Sequence, residues 1–424
     1  MKKIRLSLAW QIFIGMILGI IVGAIFYGNS IVEDILQPVG DIFINLIKVI
    51  ILPIIISTLV TGIAGLGDAK KFGKIGGKTI LYFEIITTIA LTIGLIAANI
   101  VQPGSGIDMD QLSEGDVSSI AETAEETEDQ GIVDVIYGIF PSNIFESLSE
   151  GDILPVIFFS VIFGLGLATL GDKGKPLLNI FQIIGDTMFW VTNQIMKIAP
   201  LGVFALISVT VSQFGLASLL PLGKLVLTAY GVMIIFVVGV FGLVLKICRV
   251  SPLNLFRVLK SDIILAFSTA SSEVVLPSLL KKMPKFGCPK EITSFVIPSG
   301  YSFNLDGGAL YQSIAVLFVA QMYGVNMSIG FQITALLILM LTTKGLAGVP
   351  GANIAVLLAT FGPLGLPVEG LAFIIGVDRF IDMGRTVVNV LGNSIAAIVI
   401  SKWEGRFNAP QSEEYVRQLE KTGS

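Results

Sequence analysis

The chain alternates long apolar runs with short polar connections. Runs such as 47–58 and 227–245 fit bilayer spans, which need about 20 residues each. Six plain spans are predicted near 8–28, 41–65, 79–101, 152–171, 180–213 and 220–247. The first follows Lys2, Lys3 and Arg5 as a signal peptide would. It is too long for one and lacks a small-residue cleavage site, so it reads as a span.

The polar connections sort by charge. Basic residues cluster in the N-terminal tail, at Lys70, Lys71, Lys74 and Lys78, at Lys173 and Lys175, over 246–260, and at Lys281, Lys282, Lys285 and Lys290. The 102–130 connection instead carries nine acids and no Lys or Arg. The positive-inside rule places the N-terminus and the basic loops in the cytoplasm and the acidic loop outside.

This alternation constrains the chain after residue 250. Two basic clusters flank only about 20 residues, and one full span between them would put them on opposite sides. Short apolar arms, 263–267 and 274–280, surround the polar tip 268–273. A hairpin over about 258–290 that enters and returns satisfies both length and charge. By the same logic 329–366 forms a second hairpin, around the tip Lys344-Gly345-Leu346-Ala347-Gly348-Val349-Pro350-Gly351, which cannot continue a helix. With 291–320 as a full span, the second hairpin enters from the opposite side. Two oppositely oriented hairpins suggest an inverted repeat with a site between their tips; ordinary kinked helices are the alternative.

Composition agrees with a membrane protein: 54% of the residues are hydrophobic and 14% charged, and the mean hydropathy is +0.86. A soluble domain carries about a quarter charged residues. The chain has no histidine, which excludes histidine catalysis, histidine metal sites and a histidine proton relay. Cys248 and Cys288 lie in basic segments and read as reduced cytoplasmic thiols.

Against this apolar background the last segment, 368–402, is exceptional. It holds Asp378, Arg379, Asp382 and Arg385, each costing about 2.5–3.5 kcal/mol at mid-helix. With Thr386, Asn389 and Asn393, the positions 378, 382, 385 and 386 line one helix face, and Arg379 points partly aside. One reading is a salt-bridge ladder between helices. The other is a site for an acidic zwitterion: Asp382 takes an ammonium, Arg385 grips a carboxylate in bidentate fashion, and Thr386 and Asn389 supply hydroxyl and amide. A second anomaly, Asn304-Leu305-Asp306-Gly307-Gly308, breaks a span beside a carboxylate. It is a candidate oxygen-ligand cation site, with a simple glycine kink as the alternative. Glu84, Thr87 and Thr88 share a face of the third span, where Glu84 is either functional or a snorkelling interfacial acid.

The serine-rich tip, Asn-x-Asp-Gly, Ala-Gly-Val-Pro-Gly and Asp-x-x-x-Asp-Met-Gly-Arg-Thr-x-x-Asn occur in that order. Together they resemble the glutamate/aspartate transporter family, the dicarboxylate/amino-acid:cation symporters, and within it the bacterial proton/glutamate symport proteins. The resemblance implies an all-α homotrimer in the bacterial plasma membrane, each protomer with eight spans and two oppositely oriented hairpins. It implies cytoplasmic termini and an elevator mechanism. The scaffold would comprise 1–78 and 152–219. The transport domain would comprise the third span within 79–151, which also holds the acidic loop, and 220–424, ending in a cytoplasmic tail. The substrate contacts it implies are Ser271 and Ser272, Gly348 and Val349, and Asp382, Arg385, Thr386 and Asn389. Asp382 favours an amino acid over a plain dicarboxylate.

The chain also departs from sodium-coupled relatives. They carry Asp where it has Asn393, Thr where it has Gly308 and Leu346, a neutral residue where it has Lys344, and Tyr where it has Glu84. Archaeal relatives carry Arg where it has Ala270; here Arg379 and Glu273 are a candidate replacement pair. A lost carboxylate and an added ammonium both weaken a cation site. Proton coupling is therefore expected, with Glu84, Glu273 or Asp306 as carrier, and a residual sodium site at Asn304, Asp306 and Asn389 is the alternative. No cofactor and no nucleic-acid partner are expected. Sodium-coupled or mixed symport, C4-dicarboxylate transport and an anion channel are the competing functions. An enzyme would need a base for Ser271 or Ser272, and no histidine exists to serve.

Overall fold

The computed structural model describes residues 8–65, 74–105, 140–150, 153–216, 219–343, 352–367 and 370–422, and among these every regular element is helical. The helices are α1 (Leu8–Ile25), α2 (Ser30–Gly65), α3 (Lys74–Val101), α4 (Ile153–Thr169), α5 (Lys175–Met196), α6 (Ala199–Phe214) and α7 (Leu219–Ile247). Then follow α8 (Pro252–Thr269), α9 (Leu276–Lys285), α10 (Lys290–Phe303), α11 (Asp306–Met322), α12 (Ile329–Thr342), α13 (Ala352–Phe361), α14 (Gly370–Trp403) and α15 (Ala409–Thr422). Among the described residues, Ile75–Val101, Leu219–Ile247, Lys290–Met322 and Ile374–Trp403 are long and apolar enough to cross a membrane.

The helices pack in two groups. In the first, α1 lies along α6, and α2 packs against α4, α5 and α6. Lipid offers no hydrophobic drive between helices, so close backbone approach has to supply the contact. Gly15, Gly19 and Gly23 recur every fourth residue on α1, where a Cβ would run into Pro200, Phe204 and Ser208 of α6. The predicted single span 180–213 is in fact two helices. The chain turns at Lys197 and Ile198, and Pro200 opens α6, where its missing N–H costs nothing.

In the second group, α3 runs beside α11, and α14 packs against α7, α8, α10 and α11. Amide groups pin α3 to its neighbours: Gln321 Nε2 donates to Ala98 O (2.9 Å) and Asn99 Nδ2 to Gln332 Oε1 (2.8 Å). The groups meet along an apolar seam, with Ile207 against Gly376 and Phe13 edge-on to Phe380 at 5.6 Å. The hairpin arm α13 packs on α2 along the same boundary.

At the first predicted hairpin, two helices, α8 and α9, flank the predicted tip. Its arms are longer than the apolar pattern suggested, 18 residues in α8 and 10 in α9. Lys282 Nζ on α9 reaches back to Val258 O (3.2 Å), Ser261 Oγ (2.7 Å) and Asp262 Oδ2 (2.6 Å) on α8, so the arms run antiparallel. The tip turns through Ala270, whose φ of +48° is left-handed, an arrangement costing a non-glycine residue about 1–2 kcal/mol. The C-terminal α15 straps this hairpin: Asn408 N–H donates to Gly287 O (2.9 Å), and Arg257 pairs with Glu420 (2.9 Å). Around the second predicted tip, the Thr342 and Thr360 hydroxyls meet at 3.2 Å between α12 and α13. Its predicted tip residues, Gly348 and Val349 with Lys344 and Leu346, lie outside the described residues.

Candidate functional site

The charged face of α14 spans roughly 22 Å from Asp378 to Asn393 at 1.5 Å per residue. It divides into two constellations. At the first, Arg385 is fully buried. Its Nη1 and Nη2 donate to Asp378 Oδ1 (2.9 Å) and Oδ2 (3.3 Å), and its Nε to Asp382 Oδ1 (2.8 Å). The Tyr311 ring lies against the guanidinium, 4.8 Å from its centroid. A buried guanidinium without partners would cost several kcal/mol, so the two acids and the ring are what permit it there. The other oxygen, Asp382 Oδ2, faces Arg379 Nη1 at 3.7 Å and accepts no hydrogen bond among the described residues.

Arg379 is the bridge to the first hairpin. Its Nη2 donates to Thr269 O (3.0 Å), a carbonyl of the last turn of α8, where the helix dipole favours a cation. The side chain of Glu273, its proposed partner, is outside what is described. Ser272 is buried at the tip and Ser271 is half-buried.

The second constellation surrounds the helix break. The break predicted at 304–308 falls at Asn304 and Leu305, with Asp306 opening α11. Asn304 Nδ2 donates to Asp306 Oδ2 (3.1 Å) and to Asn393 Oδ1 (3.2 Å). Asn389 Oδ1 accepts from Gly307 N–H (2.8 Å), capping a first-turn donor of α11 from another helix. Glycines make this approach feasible: a Cβ at Gly300 would strike Asn393, at Gly307 the Arg385 backbone, and at Gly392 the Asp306 carboxylate. Phe241 stands at the same spot, at the end of a π-turn, Phe236–Phe241, in α7. Such π-turns are frequent at functional sites. Asn304, Asp306 and Asn393 are fully buried, and Asn304 Oδ1 accepts no hydrogen bond among the described residues.

The α3 residues come in at the same level. α3 and α11 run parallel, with Ala98 beside Gln321 and Gly94 against Leu310 and Ser313. Two turns earlier, that register brings Thr87 level with the break. Thr87 is buried and its Oγ1 has no hydrogen-bond partner among the described residues. Thr88 Oγ1 bonds the Glu84 carbonyl (2.7 Å), and Glu84 is half-buried.

The predicted face is therefore one helix serving two places. Asp382 and Arg385 belong to the first, Asn389 and Asn393 to the second, and Thr386 is buried. Sequence reasoning assigned no role to Asp378, the bidentate partner of Arg385. It also passed over Tyr311 of α11 and Asn353 of α13, which lie against the guanidinium, and Gln312 of α11, which meets Asn353. A polar Asn353 directly after a glycine-rich tip, in an otherwise apolar arm, was the available signal.

A buried ion cluster beside a broken helix, both enclosed by apolar helices, is the arrangement of a secondary transporter. The profile of the Sodium:dicarboxylate symporter family matches residues 8–403, and the chain belongs to that family. It is 59% identical over 418 residues to the proton/sodium-glutamate symport protein of Bacillus caldotenax, covering 99% of both chains. It is 52% identical to the proton/glutamate-aspartate symporter of Escherichia coli K12, covering 99% of this chain and 98% of that one. The C4-dicarboxylate transport protein of Bacillus subtilis is 44% identical, with 99% of each chain covered.

Proposed function

We propose that the chain is a secondary symporter that takes up L-glutamate and L-aspartate, coupled to protons. The observation that carries this reading is the buried Asp382 carboxylate, one oxygen on Arg385 and the other without a hydrogen-bond partner among the described residues. An α-ammonium would complete Oδ2, while the distal carboxylate of the substrate would take the Arg385 edge now held by Asp378. Thr386, Asn389, Ser271, Ser272 and the backbone of Gly348 and Val349 would complete the pocket. The similarity to the glutamate and glutamate-aspartate symporters of Bacillus caldotenax and Escherichia coli supports glutamate and aspartate. Their coupling ions, protons with sodium in one case, are the same ions that the helix break would serve. Glu84, Glu273 and Asp306 are the proton carriers to test. Asn304, Asp306, Asn389 and Thr87 supply the oxygens a sodium ion would use, with Thr88 and Asn393 at the margin.

The mechanism follows from the seam between the helix groups. α3 and α7–α15, the transport domain, hold the whole ion cluster. The remaining helices, the scaffold, meet them through apolar contacts that can slide. An elevator carrying the site across the bilayer is the motion this permits. Eight spans with two re-entrant hairpins, a homotrimer, and cytoplasmic termini in a bacterial plasma membrane complete the reading. The exposed apolar side chains of the scaffold, such as Ile42, Val49, Ile183 and Trp190, fit lipid or neighbouring protomers.

The second reading, a C4-dicarboxylate carrier, rests on the relative from Bacillus subtilis. Saturable counterflow in proteoliposomes separates the two. Labelled glutamate should be displaced by glutamate and aspartate far better than by succinate. Preference for succinate would replace the amino-acid reading, and non-saturable flux would favour a channel.

A further inference from the structure

Asn353 stands second in α13, on the arm returning from the second hairpin tip, and is 8% exposed. Its amide lies against the guanidinium. With the carbonyl turned toward Arg385, the oxygen accepts from Nη2 at 3.2 Å and Nε at 3.1 Å. The other end of the amide meets Gln312 of α11 at 2.8 Å. Gln312 is fully buried and its Oε1 otherwise has no partner, so turning that amide as well lets it accept from Asn353 Nδ2. Gly308 reserves the space, because a Cβ there would come within 3.0 Å of Asn353 Oδ1. Glycine at 308 and asparagine at 353 are therefore a matched pair, one vacating what the other fills.

We propose that Asn353 is a positioning residue for Arg385, through which the second hairpin senses the distal carboxylate of the substrate. This rests on the acidic-amino-acid reading above. Nη2 has two hydrogens: Asp378 takes one and Asn353 the other. The amide oxygen holds the guanidinium plane in place without adding charge to a cluster that already sets two acids against it. When a carboxylate arrives at that edge, Asn353 gives up its Nη2 bond or turns its Nδ2 to the newcomer, and either move acts on α13 directly. An acid at this position would hold the arginine too tightly and repel the substrate.

The test is exchange of labelled glutamate for internal glutamate in proteoliposomes at equal pH on both sides, where coupling adds no net drive. Asn353→Ala should raise KM on the order of tenfold, the loss of one charge-assisted hydrogen bond, with the maximal rate within about twofold. Gly308→Ala should raise KM similarly by pressing on the amide. The double variant should be no worse than either single, since both act on one contact. Asn353→Asp should show a KM that rises with pH and returns toward native on acidification, when the neutral acid resembles the amide. An unchanged KM in Asn353→Ala, additive effects in the double variant, or an Asn353→Asp profile parallel to native would each overturn the proposal. A native chain that does not exchange glutamate overturns the functional reading and this inference with it.

Discussion

Replacing Asp382 with asparagine separates the two charges of an amino-acid substrate. In the native site Asp382 Oδ1 accepts from Arg385 Nε at 2.8 Å and Oδ2 is the oxygen assigned to the ammonium. The variant keeps the bidentate Asp378 pair at 2.9 and 3.3 Å, so the buried guanidinium remains neutralised and the helix keeps its partner. What is lost is one charge-assisted hydrogen bond to an ammonium, worth about 1.5–3 kcal/mol. At 1.4 kcal/mol per decade, affinity for glutamate should fall about 10- to 150-fold. Glutarate has the same carbon skeleton and both carboxylates but no ammonium, so its affinity should shift by less than about threefold. The assay is displacement of labelled glutamate from the purified protein by either acid. Equal weakening of glutamate and glutarate, or undiminished glutamate affinity, would refute the assignment of Asp382 to the ammonium.

The remaining predictions concern packing and the cytoplasmic side. Gly392→Ala would place a methyl against Asp306 and within 3.1 Å of Phe241, overpacking the break by about 1–3 kcal/mol, read as a lower Tm in detergent; an unchanged Tm contradicts the crossing described. Lys282→Ala would strand Asp262, which is 3% exposed. Breaking a buried pair costs about 3–5 kcal/mol, and solvent reaching the lysine reduces this to about 2–3; adding Asp262→Asn should recover more than half in a double-mutant cycle. Burial pushes the Cys288 thiol up from its ordinary 9.0 to about 12. The folded state then holds a proton that the unfolded chain releases, so this contribution is complete below pH 9 and is lost as pH rises toward 12. Denaturant titrations at pH 8 and 10.5 should show native losing more stability than Cys288→Ala, and equal losses would contradict the burial effect.

Features that rest on charge, length and helix-breaking residues were legible in the sequence. The basic clusters around 246–260 and 281–290 bracket the pair α8 and α9, and Lys282 turns out to be the residue that ties them. Asn304 and the following glycines locate the break to within a residue. The periodicity of 378, 382 and 385 correctly puts their charges together, although it does not reveal that Asp378 is the bidentate partner. The hidden features depend on contacts between distant segments. Tyr311 and Gln312 sit in an apolar helix with no pattern to mark them; only helix crossings bring Tyr311 to Arg385 and Gln312 to Asn353. The turn at Lys197 and Ile198 escaped because both flanking helices are apolar enough to read as one. The strap formed by α15 depends on contacts such as Arg257 with Glu420, across 163 positions of chain that no local rule connects.

The central claim is that a proton gradient drives acidic amino acids through the Asp382–Arg385 site. Its most direct test is accumulation of labelled glutamate in sodium-free proteoliposomes with an acidic exterior. The account predicts transient accumulation above the external concentration, abolished when the pH gradient is collapsed and lost in Arg385→Ala. Accumulation that requires a sodium gradient and ignores pH would contradict it.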